Sequence, residues 1–444
     1  MTYLEGFSKD HVSKAAGMTM PPVIQVINDD GGWCWFQDER AIIQGDKLIV
    51  ASVASGFRDA SRRGSIEVTG HDLTTGMQTR ARLTQAVSPL YDDHYSPALL
   101  ARPDGRLLAV YTRQWQPADK VFSYRLSTRP NDPALWDEER RYEPSATSDI
   151  TYSNLHHLSA ENGGRGRTFN FFRGLDGDLK PAYSWSDDGG LTWHTGNRVI
   201  PSPSLRPYVK YASNGTDTIH LIYTEGHPGE FGKTSVFHVY YRNGRLHRSD
   251  GIVVATLAEG LPEVAAGTPI FNGNTENLAW VSDLHLDAAG HPYAAYSVHR
   301  KHAGVPPGAD HRYRYARWTG ERWLDYEIAY AGSRLCPSQD DYTGNIALDP
   351  HDPCIAFIST NADPVSGAPL VSSADGQRHW EIYRGVTQDG GASWCWSAWT
   401  ANSTEDNLRP IVPDGDRRRR AVLWLRGRYR DYTDYELAVV GVIL

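Results

Sequence analysis

Residues 281–298 read VSDLHLDAAGHPYAAYSV: a short apolar strand, a tight polar turn of Asp-x-x-Gly type at 287–290, and a second strand rich in Val, Ala and Tyr. The same unit returns at 41–53 (AIIQGDKLIVASV), 96–112 (SPALLARPDGRLLAVYT), 154–174 (NLHHLSAENGGRGRTFNFFRG), 209–226 (VKYASNGTDTIHLIYTEG), 344–360 (GNIALDPHDPCIAFIST) and 408–427 (LRPIVPDGDRRRRAVLWLRG). The units lie roughly 55 to 75 residues apart, the length of a four-stranded blade with long connections, and such a period marks radial repetition. The reading is all-β: a seven-bladed β-propeller of four-stranded antiparallel blades. Residues 1–22 are read as an N-terminal extension and 23–444 as one propeller domain. The last strand, in 435–444 (YELAVVGVIL), is expected to pair with the first, near 23–27 (VIQVI), which closes the ring and removes an exposed edge.

The outer parts of the blades carry a second signal. Ser186-x-Asp188-x-Gly190-x-Thr192-Trp193 and Thr387-x-Asp389-x-Gly391-x-Ser393-Trp394 follow the Asp-box pattern S/T-x-D-x-G-x-S/T-W. The carboxylate can accept hydrogen bonds from turn amides, glycine supplies positive φ, and tryptophan covers the hairpin. The motif is therefore structural, and Asp188 and Asp389 are not read as catalytic.

With 444 residues and no Pro/Ser-rich linker, the period runs uninterrupted. A net charge of −8 argues against a nucleic-acid partner, whose affinity comes from neutralising phosphates. Arg417–Arg420 sits in an Asp-Gly hairpin and reads as a solvated turn. Cys34, Cys336, Cys354 and Cys395 lie far apart without a C-x-x-C pair, which fits a reduced compartment. No secretion signal or membrane-spanning run is seen, so a cytoplasmic protein is expected. A closed ring leaves no sheet edge that demands a partner, and a monomer is expected.

Loops joining propeller blades converge on the central axis, so polar residues just before inner strands are candidates for one shared site. His94 precedes the inner strand of the second blade, Tyr152, Ser153 and Asn154 open that of the third, and Arg206, Tyr208 and Lys210 flank that of the fourth. His220, His227, Asp283, His285 and Cys336 are scattered over three blades with no compact ligand motif. A structural calcium or zinc ion is compatible with them, and no metal ligands are assigned.

The segments 31–42 (GGWCWFQDERAI), 92–105 (DDHYSPALLARPDG), 152–154 (YSN), 171–174 (FFRG) and 206–228 (RPYVKYASNGTDTIHLIYTEGHP) resemble the signature segments of BNR-repeat propellers related to ulvan lyases and rhamnosyl-glucuronate lyases. The resemblance runs over nearly the whole chain. It implies a seven-bladed propeller that cleaves a glycosidic bond to a uronic acid by β-elimination, leaving a 4,5-unsaturated uronate. Removal of the C5 proton builds an enolate-like dianion, so the carboxylate must first be neutralised, and arginine offers a fork that matches it. A neutral histidine can take the proton and a tyrosine hydroxyl can protonate the leaving oxygen. By resemblance His94 is the base, Tyr152 or Tyr208 the acid, and Arg173 with Arg206 the carboxylate clamp. Gln114, Asn154, Arg206 and Lys210 are the substrate-binding candidates. The related lyases carry a second histidine about 20 residues after the first, where this chain has Gln114, which donates a hydrogen bond but exchanges no proton near neutral pH.

This chemistry requires no cofactor, and the expected partner is a uronate-containing oligosaccharide or polysaccharide, with glucuronate or iduronate next to rhamnose. Two alternatives stand beside the lyase. One is a rhamnosidase-like glycoside hydrolase using Gln37, Asp38 and Glu39 on the opposite mouth, since hydrolysis normally takes two carboxyl groups at a set separation. Sialidases share Asp boxes, but no Arg-Ile-Pro segment occurs here. The other is a sugar-binding propeller without catalysis.

Overall fold

The computed structural model describes residues 22–85, 91–113, 120–144, 150–175, 179–201, 206–415 and 418–444. Gln114, most of the N-terminal extension and Arg417 lie outside these residues. Seven antiparallel sheets follow one another along the chain. Blades 1 to 3 occupy 41–85, 98–142 and 151–198, blade 4 occupies 209–271, and blades 5 and 6 occupy 277–332 and 346–398. Blade 7 is composite. Its strands Asp406–Ile411, Ala421–Asp431 and Asp434–Ile443 take Gln25–Asn28 as the outer fourth, with Gln25 opposite Gly441 and Val26 opposite Val440. The expected pairing of the chain's two ends closes the ring.

Six sheets have four strands. Blade 4 departs from the expected count with six, because 245–271 adds Arg245–His247, Val253–Thr256 and Thr268–Phe271 around the third strand. The first strands of successive blades pack against one another around the axis. Blade 7 meets blade 1 through Ile43 N–H, which donates to Asp414 O at 2.9 Å. The inner strands of blades 1, 2 and 6 are mostly Ala, Ile and Leu, those of blades 3, 4, 5 and 7 also carry polar or aromatic residues, and the alternation of the outer strands buries one face against each neighbouring blade.

The two S/T-x-D-x-G turns make the local bonds their chemistry allows. Asp188 Oδ1 accepts from Leu191 N at 3.0 Å and Thr192 N at 2.9 Å, and Ser186 Oγ accepts from Gly190 N at 2.7 Å. Asp389 Oδ1 accepts from Ser393 N at 2.9 Å, and Thr387 Oγ1 accepts from Gly391 N at 2.9 Å. Gly391 has φ of +102°, and a Cβ there would stand 2.3 Å from the Tyr315 ring. Trp193 lies edge-on to Phe122 of blade 2 at 5.2 Å, and Trp394 to Tyr315 of blade 5 at 5.4 Å, so each tryptophan ties its blade to the preceding one. Among the described residues no helix is long and apolar enough to cross a membrane.

Candidate active site

On one mouth of the propeller the axis widens into a cavity of about 680 Å³ whose wall includes His94, Tyr152, Arg173, Tyr208 and His227, with Arg206 also lining it. Five of the catalytic and substrate-binding candidates thus converge on one space from blades 2, 3 and 4.

His94 sits in a single 3-10 turn, Asp93–Tyr95, capped by Asp92, whose side chain accepts from His94 N at 2.9 Å. The same carboxylate holds the ring: His94 Nδ1 lies 2.5 Å from Asp92 Oδ1 and 3.1 Å from Asp93 Oδ1. This leaves Nε2 as the ring nitrogen free to meet a ligand. Burial opposes charging of the imidazole, but the adjacent Asp92 carboxylate overrides it and raises the His94 pKa well above its ordinary value. Asp93 is held in turn by Arg409, whose Nη1 donates to Asp93 Oδ2 at 2.7 Å, and by the Tyr429 hydroxyl at 3.2 Å. The Arg409 guanidinium carbon lies 3.4 Å from the Trp35 ring centroid and 4.2 Å from that of Tyr429, fully buried.

Tyr152 reaches the cavity through a distorted backbone. The ladder between the first two strands of blade 3 pairs Thr151 with Arg173 and then Asn154 with Phe171, a bulge that carries Tyr152 at φ of +61°. A left-handed tyrosine costs about 1–3 kcal/mol and is seldom held without a reason of function. Here the ring lies beneath the Arg173 guanidinium, 4.3 Å from Cζ to centroid, and 5.2 Å from the His94 ring. Burial and then the neighbouring Cys34 thiol push the Tyr152 phenol well above its ordinary pKa, so it stays protonated and able to donate. Tyr208 stands 6.2 Å from Tyr152 and 5.5 Å from the Arg173 guanidinium, between centroids and Cζ respectively.

Arg173 ends the second strand of blade 3 with only 5% of its surface exposed. Among the described residues no carboxylate pairs with it, and its Nε and Nη1 have no hydrogen-bond partner. A buried cation without a carboxylate partner in the wall of a cavity has the chemistry to receive an oxyanion. Arg206 behaves differently. It also lines the cavity, but its guanidinium is ion-paired with Glu230 at the rim, with Nε donating to Oε2 at 3.1 Å.

Two other candidates do not face the cavity. Asn154 is buried beneath it, its Nδ2 donating to Tyr152 O and its Oδ1 accepting from Asp38 N, both at 2.9 Å, and so braces the bulge. Lys210 points inward from the inner strand of blade 4, where Nζ donates to Gln37 O at 2.5 Å. Residues two apart share a face of a regular strand, but Tyr208 lies just before Val209–Ser213 and its side chain is not held to that alternation.

His227 was grouped by sequence only with scattered metal candidates, yet it stands in this cavity. It caps the helical turn Pro228–Phe231, its Nδ1 accepting from Gly229 N at 3.1 Å, which leaves an Nε2–H donor. Burial holds its pKa down at about 4 despite the pull of Asp341, so it is neutral at physiological pH. The His-Pro-Gly sequence at 227–229 is the signal of that cap. Tyr342, also in the wall, comes from the polar loop before blade 6 and had no local signal.

The sequence model of the BNR repeat-containing family matches residues 56–331, more than half of the chain. The chain belongs to the BNR repeat-containing family. Among solved structures this family member is similar to an ulvan lyase described as a new family of polysaccharide lyase, PL25, bound to GlcA(1-4)Rha3S. The TM-score is 0.66 with 15% identity over 93% of this chain and 94% of the other. It is also similar to the polysaccharide lyase Uly1, with a TM-score of 0.59 and 10% identity over 95% of this chain and 97% of that one. At such identities these likenesses show the shared fold. No curated protein sequence matches the chain.

Deeper on the axis, Glu39, Asp283 and His285 bring their ligand atoms within 4.8 Å of one another. Asp283 already accepts from Leu284 N and Leu348 N at 2.7 Å each, and lies 3.2 Å from His285 Nε2. Burial opposes the charge on His285, but Asp283 raises its pKa to about 9. The cluster is thus balanced by the chain's own cations, including nearby Lys210. The void beside it, about 10 Å³, holds about one water rather than a sugar ring. The hydrolase candidates Gln37 and Asp38 serve as braces there: Gln37 Nε2 donates to His94 O at 2.9 Å and Asp38 Oδ2 lies 3.1 Å from His156 Nε2. The remaining metal candidates do not join it, since His220 pairs with His238 and Cys336 is buried beside Ser338.

Proposed function

We propose that this protein is a carbohydrate lyase that cleaves a glycosidic bond at O4 of a uronic acid by β-elimination. The observation that carries the reading is Arg173, a buried guanidinium with unmet Nε and Nη1 donors in the wall of a sugar-sized cavity. A uronate carboxylate would be met by this guanidinium, joined by the neutral His227 Nε2–H, and so lose the negative charge that otherwise resists C5 deprotonation. His94 in its neutral form takes the C5 proton at Nε2. Asp92 and Asp93 at its Nδ1 stabilise the imidazolium that results. Tyr152, protonated and 5.2 Å from the His94 ring between centroids, gives its proton to the departing O4. The C5–H and C4–O4 bonds break, the C4–C5 double bond forms, and no water is consumed.

The similar ulvan lyase bound to GlcA(1-4)Rha3S supports a glucuronate next to rhamnose as the substrate. A cytoplasmic monomer acting on an oligosaccharide completes the proposal, a setting with which four unpaired cysteines agree. The test is ultraviolet absorbance during incubation with glucuronyl-rhamnose oligosaccharides. A rise that vanishes in Arg173→Ala and His94→Ala supports the lyase. Sugar release without the rise would replace it with a hydrolase, and binding without release with a recognition module.

A further inference from the structure

A second pocket, of about 260 Å³, opens between blades 4 and 5. His220 in its wall lies near the start of the second strand of blade 4, whereas Arg173 ends the second strand of its blade. The pocket therefore faces the opposite rim from the axial cavity.

A chain of hydrogen bonds ends there. Trp323 Nε1–H donates to Ser249 Oγ at 2.9 Å, Ser249 Oγ lies 2.7 Å from His238 Nδ1, and His238 Nε2 lies 3.0 Å from His220 Nδ1. Indole is only a donor, which fixes the first link. Ser249 then has one proton to give, and His238 Nδ1 is the acceptor within reach. With that proton given to His238 Nδ1, His238 donates from Nε2 to His220 Nδ1 and His220 presents Nε2–H to the pocket; the reverse order, with Ser249 accepting twice, would present a bare Nε2. Burial keeps both imidazoles neutral, His220 down at about 3 and His238 well below its ordinary value, so each carries one N–H. The two imidazoles are 8% and 1% exposed.

The rest of the wall shows what such a donor would meet. Arg242 lines the pocket with about half of its side chain exposed (47%), ion-paired through Nε with Asp217 at 3.1 Å. Among the described residues no aspartate or glutamate lines the pocket, while Leu286, Pro292 and Trp318 give it an apolar side. A cation and a directed N–H facing an apolar wall, with room for one ring, match a sugar that is apolar on one face and carries an oxyanion.

We propose that this pocket binds a single acidic pyranose, its carboxylate or sulfate held by His220 Nε2–H and Arg242. The inference is independent of the reading of the axial cavity. The test is titration of the protein, labelled with ¹⁵N-histidine, with glucuronate, glucose 6-sulfate and neutral glucose, following imidazole ¹H–¹⁵N correlations with the His220 signal assigned by His220→Gln. The free protein should show Nε2–H tautomers at His220 and His238. At least one acidic sugar should shift the His220 signal saturably, with glucose about tenfold weaker. Which acid responds identifies the anion. Arg242→Met, a change at a half-exposed side chain, should weaken the response about tenfold, and Arg173→Ala should leave it unchanged. No response to either acid, an equal response to glucose, the opposite tautomers, or loss of the response in Arg173→Ala would overturn the proposal.

Discussion

Replacing Arg173 with methionine should lower kcat/KM by about 10²–10³ while making the protein more stable. Methionine keeps the length and apolar stem and removes the fork. In the free protein the fork leaves two buried donors unmet, Nε and Nη1, at about 1–3 kcal/mol each. Its contacts with the rings of Tyr152 at 4.3 Å and Tyr208 at 5.5 Å offset part of this, at about 0.5–2 kcal/mol each. The difference favours Arg173→Met by about 1–2 kcal/mol, a rise of a few degrees in Tm. With substrate bound the guanidinium meets a desolvated carboxylate, and its loss should cost about 3–4 kcal/mol, or about 10²–10³ in kcat/KM. Arg173→Lys, which keeps charge without the fork, should recover about tenfold of that. Absorbance of the unsaturated uronate gives kcat/KM and thermal unfolding gives Tm. A fall of less than about tenfold, or a Tm lowered by several degrees, would refute the assignment of Arg173 as an oxyanion receptor held ready at the expense of the fold.

The rate should rise with pH through a limb well above 6.5, because only neutral His94 accepts the proton and Asp92 raises its pKa; Asp92→Asn should move that limb to lower pH, read from kcat/KM against pH. Arg409→Met should cost about 3–5 kcal/mol by leaving buried Asp93 unpaired, and the double variant with Asp93→Asn should recover most of it in chemical denaturation. Gly391→Ala, whose Cβ would lie 2.3 Å from Tyr315 at φ of +102°, should cost about 2–4 kcal/mol; Gly76→Ala, at φ of +73° in open space, should cost only about 1 kcal/mol. His285, with a folded pKa of about 9 above its ordinary 6.5, contributes stability that is complete below pH 6.5 and is lost as pH rises through 9, and His285→Gln should flatten that slope in denaturation curves.

The ring was legible because its unit is local. The Asp-x-x-Gly turn between two apolar strands, as at 287–290, needs no distant partner to be recognised, and closure by 435–444 followed from strand pattern alone. The extra strands of blade 4 were not legible, since 245–271 is short, polar and paired at non-sequential edges. At the site, residue types before inner strands located His94, Tyr152 and Tyr208. The same rule failed for Asn154, in a strand with a bulge, and for Lys210, in a regular one, because residue type alone does not say which face of a strand looks into the cavity. The partnership of Arg206 with Glu230 spans 24 residues and leaves no local mark. Arg409 was hidden for another reason: its role depends on Asp93, 316 positions away across the ring closure.

Distortion of the inner strands explains how one mouth of a repetitive ring became chemically distinct. Register shifts fall between Thr151 and Asn154 in blade 3, Val281 and Asp283 in blade 5, and Leu408 and Ile411 in blade 7. Two of them hold a large side chain in left-handed backbone, Tyr152 at φ of +61° and Arg409 at +52°. Regular strands would alternate these side chains between faces, and neither would be directed by repetition to the axis. The bulges free them from that alternation, at about 1–3 kcal/mol each. Each is then locked by a stacked cation, Arg173 over Tyr152 and Arg409 over Trp35. The ring supplies the constraint: both bulged strands are flanked by regular blades whose buried cores resist relaxation, so the strain stays where the ligand would bind.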